Sequence, residues 1–247
     1  MSNDVRPEVL LWDLACAYMT AKERVIESGY AHEIDWQENI SIGCLSEREF
    51  LREAGWVVLS SGMREAVIRR KFPEVSRAFL GWESACKIVS HKEACRELAL
   101  GSFNSPRKID AIVEIAAHVA EVGFDSVRQR IVDDGIPYIT QLPYMGPATS
   151  YHFAKNIGLM EAKPDRHLRR VAEAVGYTTP NAMCKDIGDL VGDKISVVDI
   201  VIWRYATICA DYLQLFSYEG LRKAASAEGG FCWLGPFDHE GSGQEVV

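Results

Sequence analysis

At 247 residues and 27.6 kDa the chain is long enough to bury one sizeable core, or two lobes sharing one, and too short for a multidomain array. Apolar residues at 48% and charged residues at 25% match soluble globular proteins, which excludes disorder, collagen and coiled coil. A net charge of −8, taken alone, argues against a nucleic-acid partner, because phosphate binding is driven by positive charge.

The predicted elements are helices throughout. Leu10, Leu11, Leu14 and Tyr18, followed by Val25 and Ile26, form the first apolar stripe. Asn104-Ser105-Pro106 supplies polar caps and a proline suited to a first helical turn, and Ile109, Ile112, Val113, Ala116 and Val119 then repeat the i, i+3, i+4, i+7 spacing. Leu142 to Pro147 is the densest cluster of breakers, with Pro147 placed to open the next helix. Lys163-Pro164-Asp165 is another break, before a helix with Leu168, Val171 and Val175 as its apolar face. Val198, Ile202, Tyr205, Cys209 and Tyr212 make the last stripe, and Gly229-Gly230 opens a tail, 229–247, rich in glycine and acid. No period-2 pattern competes, so the predicted fold is all-α.

The most apolar run, Ile195 to Cys209, is broken by Asp199 and Arg204, which excludes a membrane span. Met1 to Leu10 carries acids and a proline where a signal peptide would carry a basic then apolar run, so a cytoplasmic location is expected. Seven scattered cysteines without a CxxC pair read as small buried hydrophobes rather than metal ligands.

The charge is partitioned. Residues 1–47 hold 3 Lys or Arg against 9 Asp or Glu, whereas residues 48–108 hold 12 against 7. A basic middle segment with acidic flanks restores a nucleic-acid partner, since binding depends on the local field; a solvated basic helix face would have the same composition.

Two segments carry candidate chemistry. In Leu142 to Gly158 a tight turn ending in Gly146 runs straight into a helix, exposing unpaired backbone N–H groups at the helix's positive end, which suits a phosphate. An ordinary helix–helix turn would look the same. In Lys163 to Val171 one carboxylate, Asp165, sits among Lys163, Arg166, Arg169 and Arg170 with His167 beside it. Asp165 is either an N-cap only or a carboxylate held ionised at the mouth of a phosphate-binding cleft.

Together these segments resemble the helix-hairpin-helix DNA glycosylases of the endonuclease III superfamily. Leu142-Pro143-Tyr144-Met145-Gly146 is similar to the family's Leu-Pro-Gly-Val-Gly hairpin, and Pro164-Asp165-Arg166-His167-Leu168-Arg169-Arg170-Val171 keeps the Asp, His, Arg and Val of its catalytic segment. Gly101 to Ser105 and Val58 to Met63 are similar to two upstream family segments, and residues 48 to 89 faintly resemble 3-methyladenine glycosylases at Arg69-Arg70-Lys71 and Phe79.

The resemblance implies two helical lobes with a DNA-binding cleft between them in a single catalytic unit. One lobe would span about 45–150 and the other about 1–44 and 151–228. Asp165 matches the catalytic aspartate, which stabilises the oxocarbenium-like sugar as the base departs and orients the attacking water. Tyr144, Gly146, Ala148, Thr149, His167 and Arg170 match positions that hold DNA phosphates, though a core-packed His167 is the alternative. Main-chain carbonyls of Thr140, Leu142 and Met145 match a site for Na⁺ or K⁺. Extrusion of a base needs a wedge, here Gly62, Met63 and Arg64, and an aromatic pocket, for which Trp36, Trp56, Tyr30 and Tyr151 are candidates; each aromatic read alone is ordinary core packing.

Departures from the family pattern narrow the activity. The lysine that forms a Schiff base in members that also cut the backbone is Ala148 here, which implies a monofunctional enzyme unless Lys155 or Lys163 substitutes. No iron–sulfur cluster is expected, because only Cys184, Cys209 and Cys232 follow Asp165. Tyr144 stands where the hairpin has its first glycine, Pro147 removes one amide donor, and Gly62 replaces a polar wedge residue. The expected partner is double-stranded DNA, bound by a monomer. Two alternatives remain: a defence enzyme excising a hypermodified base from foreign DNA, and a DNA-binding protein that has lost catalysis.

Overall fold

The apolar stripes wind into helices over most of their length in the computed structural model, which describes residues 11–227, though Cys209 and Tyr212 of the last stripe fall beyond the end of its helix; the first ten residues, Leu10 among them, and residues 228–247, with the acidic tail at 229–247, lie outside the described residues. In chain order the helices are α1 (Leu11–Val25), α2 (Ala31–Asn39), α3 (Glu47–Ser60), α4 (Glu65–Ala78), α5 (Ala85–Ser90), α6 (Lys92–Ser102), α7 (Pro106–Val122), α8 (Phe124–Asp134), α9 (Ile136–Ile139), α10 (Pro147–Asn156), α11 (Arg166–Ala174), α12 (Pro180–Val191), α13 (Ile195–Ile208) and α14 (Tyr218–Ala227). The described residues contain no strand, so the fold is all-α. None of these helices is long and apolar enough to cross a membrane.

Local chemistry sets the boundaries. Ser46 and Glu49 form a reciprocal capping box at the start of α3, and the Thr179 and Asp165 side chains cap α12 and α11. Pro106 and Pro147 occupy the first positions of α7 and α10, where a missing N–H costs nothing. Between α1 and α2 the chain kinks at Ile26–Tyr30, with Gly29 at a φ of +86°.

The buried apolar side chains fall into two clusters. The first runs from Leu45 to Ile157, with α7 packed on α3, α5 and α6. It takes in Phe153 and Ala154 of α10, whose Phe153 ring meets Phe50 of α3 edge-on at 5.1 Å. The second joins Leu14 to Ile34 with Ala162 to Ala224 and is centred on α13, which packs on α1, α2, α11 and α12. Both ends of the described chain therefore share one core, and α10 belongs with the other.

The crossing from one cluster to the other is polar. Lys155 of α10 pairs with Asp199 of α13, at side-chain exposures of 6% and 1%. Arg204 of α13 pairs with Glu33 of α2 on its own side and reaches Glu65 of α4 across the seam, while within the first cluster Asn156 Nδ2 donates to Glu53 Oε2 at 3.1 Å.

Candidate functional site

The first part of the site is the turn between α9 and α10. Leu142 and Met145 are buried and anchor it, with Met145 N–H donating to the Leu142 carbonyl at 3.1 Å. The Thr149 hydroxyl donates back to the Tyr144 carbonyl at 3.0 Å, closing the turn onto α10. Backbone bonding in α10 begins with Ser150 N–H on the Gly146 carbonyl. Among the described residues nothing accepts from the N–H groups of Tyr144, Gly146, Ala148 and Thr149, which leaves four unclaimed donors at or just before the positive end of a ten-residue helix. Such an array can receive the oxygens of an anion.

Asp165 is the second part. It is half-buried at the N-cap of α11, and its Oδ1 accepts from the N–H groups of His167 at 2.8 Å and Leu168 at 3.0 Å. Oδ2 takes no hydrogen bond from the described residues, so one oxygen fixes the carboxylate while the other stays available. The segment leading to it is held from beneath, where Asp199 Oδ2 accepts the Lys163 N–H at 2.7 Å. Asp165 is thus both an N-cap and a carboxylate with a free oxygen.

Charged neighbours surround this carboxylate. Burial pushes the Lys163 ammonium below its usual range and nearby Lys155 adds to this, against the opposing pull of Asp165, Asp199 and Glu65. Half-buried His152 of α10 is pushed well below the usual histidine value by burial and by Lys163 and Lys155, which keeps it neutral at pH 7. Lys163 therefore feels the α11 cap, the start of α4 and α10 at once.

His167 is turned partly inwards. Its ring meets Tyr212 edge-on at 5.3 Å, its Nδ1 is buried without a partner, and Nε2 accepts from Arg166 Nε at 3.2 Å. Burial is the main cause that lowers its pKa. Arg170 is exposed on α11.

The loop between α3 and α4 contains Gly62, Met63 and Arg64. Gly62 has a φ of +69°, Met63 is 43% exposed, and Arg64 is exposed at the N-cap of α4. This loop is pinned by Lys108 of α7, whose Nζ donates to the carbonyls of Leu59 and Ser61, both at 2.7 Å.

The aromatic candidates separate. The Tyr30 ring carries the Arg204 guanidinium over one face, 4.2 Å from its centroid, and that guanidinium also lies 4.7 Å from the Trp203 ring. Trp56 meets Phe72 edge-on at 5.1 Å and has Arg69 over its face at 5.9 Å. Arg69 binds Glu33 and Glu65, so Tyr30 and Trp56 belong to one ionic network beside the 62–64 loop. Trp36 stands apart, lining a pocket with Glu49, Arg52 and Glu53, and Tyr151 is half-buried on α10.

Sequence reasoning missed Lys108, His152 and Glu33, and it noted Asp199 and Arg204 only as interruptions of an apolar run. That interruption was the available signal, because a charge at the apolar spacing of a helix is turned inwards and must find a partner. Among the described residues no three His, Cys, Asp or Glu side chains gather so as to hold a metal ion. No family model, curated protein or solved structure matches the chain.

Proposed function

We propose that the protein is a monofunctional DNA glycosylase, which extrudes a damaged, mispaired or modified base and hydrolyses its N-glycosidic bond to leave an abasic site. One observation carries this: a half-buried carboxylate, Asp165, with one oxygen pinned by two amides and the other free; the turn before α10 adds four unclaimed N–H groups. As the base leaves, positive charge develops on the sugar, and the free oxygen of Asp165 lowers the energy of that charge while accepting a proton from water. The turn 140–146 and α10 act as a helix-hairpin-helix phosphate grip on double-stranded DNA, and the two apolar clusters act as two lobes with the base entering between them.

The Thr140 and Met145 carbonyls accept no hydrogen bond from the described residues, and with Leu142 they line a shallow concavity whose hard oxygen donors fit Na⁺ or K⁺. A cation there would add positive charge next to the phosphate. The absence of a lysine at 148 favours water over an amine as the nucleophile.

The deciding experiment assays abasic-site formation on alkylated, deaminated, oxidised and phage-modified duplexes with wild type and Asp165→Asn. Asparagine is an equally good N-cap, so the variant should fold and bind DNA normally. Base release should fall at least about 100-fold. Undiminished release by Asp165→Asn, or no release by wild type on any duplex, would overturn the assignment.

A further inference from the structure

Tyr144, at the tip of the turn, has a φ of +66°, a left-handed conformation that glycine adopts freely and a bulky residue does not. Presenting backbone N–H groups does not require a side chain here, and a strained backbone at an exposed tip signals that the side chain itself is used. The residue is 39% exposed.

What lies against the ring is equally unusual. Lys108 is only 6% exposed and no carboxylate pairs with it among the described residues. Its ammonium is held by the Leu59 and Ser61 carbonyls, with the Tyr144 ring centroid at 5.9 Å and that of Phe103 at 5.7 Å. Burying an unpaired ammonium is costly, and only hydrogen bonding to carbonyls and the negative faces of the two rings offset it here. One cation therefore ties three pieces together: the end of α3, the loop carrying Met63, and the tip of the turn.

We propose that the Tyr144 ring is a base-stacking surface, and that Lys108 is the positioning residue that sets this ring and the Met63 loop along one edge. The inference rests on the DNA reading above. The occupant is the face of a nucleobase beside the position vacated by extrusion, because Lys108 engages the ring from within the protein while the rest of the ring is open to solvent. Stacking of this kind tolerates any base, so it adds affinity without sequence preference.

The test measures binding of a duplex carrying a tetrahydrofuran abasic analogue, with 2-aminopurine as the neighbouring base. Tyr144→Phe keeps the ring and should bind within about twofold of wild type. Tyr144→Gly, and Tyr144→Asn as a second variant that tolerates the same backbone, should bind about tenfold more weakly and lose the quenching of 2-aminopurine. Lys108→Met should show a similar loss, and the Tyr144→Gly/Lys108→Met double variant should be no weaker than the weaker single one. Wild-type affinity and quenching in both Tyr144→Gly and Tyr144→Asn would overturn the stacking role, and additive losses in the double variant would overturn the link to Lys108. Failure of wild type itself to bind either this duplex or an intact one would instead overturn the DNA reading.

Discussion

Lys155 and Asp199 form an ion pair in the interior, and the second carboxylate oxygen of Asp199 accepts the Lys163 N–H two residues before Asp165. A buried pair seldom adds stability over a well-packed apolar pair, because both charges must be desolvated. Its use here is geometric: an apolar residue at 199 would leave the Lys163 amide without its acceptor and the Asp165 segment without its support. The same aspartate joins α10 of the first cluster to α13 of the second.

Asp199→Asn should lower unfolding free energy by about 3 kcal/mol in urea titration, since it leaves the Lys155 ammonium buried without a counter-charge. Replacing both partners, as Lys155→Met with Asp199→Leu, should recover most of that stability. Base release by the double variant should nonetheless stay low, because the acceptor for Lys163 N–H is gone. Full release in a stable double variant would show that the pair matters only for folding.

The local features of the site were legible because they are written in neighbouring residues. Pro147 opens α10, Asp165 caps α11, and Leu168, Val171 and Val175 face its core as their spacing requires. The long-range partners were not legible. Arg204 meets Glu33 across 171 positions and the Lys108 ammonium meets the Leu59 carbonyl across 49; the interrupted apolar run marks Arg204 as turned inwards, but nothing near it in the chain names the partner. Tyr144 was legible as a departure from a glycine, but the ammonium against its ring arises only when Lys108 of α7 packs beside the turn.

His152 makes stability depend on pH. Its folded pKa lies well below 6.5, while an unfolded chain takes up the proton near 6.5. The contribution is therefore complete above about pH 6.5 and is lost as pH falls from there towards the folded value, at up to about 1.4 kcal/mol per pH unit. His167, also lowered, adds to the same slope. Thermal melts between pH 7 and pH 5 should show a clearly shallower decline for His152→Gln than for wild type; an unchanged slope would mean that His152 becomes protonated in the folded protein.

Ala148 is exposed in the first turn of α10, where a longer side chain meets no obstruction from the core. Borohydride treatment of wild type with an abasic-site duplex should trap no covalent complex. Ala148→Lys should yield one, because an amine there can condense with the ring-opened sugar aldehyde, releasing water to give an imine that the hydride reduces. A trapped wild-type adduct would assign lyase activity to another amine, with Lys163 the first to replace.

Arg204 organises the seam between the two clusters. Its Nε and Nη2 donate to the two oxygens of Glu33 at 2.8 and 2.5 Å, Nη2 also reaches Glu65 at 3.5 Å, and the guanidinium plane has Tyr30 and Trp203 for neighbours. Only a planar, delocalised cation satisfies a bidentate carboxylate and two rings together, so lysine is not a conservative replacement. Arg204→Met leaves buried Glu33 with only the more exposed Arg69 as its partner and should cost about 3 kcal/mol. Arg204→Lys keeps the charge but not the fork and should still cost about 2 kcal/mol. Because Glu65 begins α4 directly after the 62–64 loop, both variants should also speed amide hydrogen exchange in the first turn of α4. An Arg204→Lys protein within about 0.5 kcal/mol of wild type would mean that charge alone, without the planar fork, joins the two cores there.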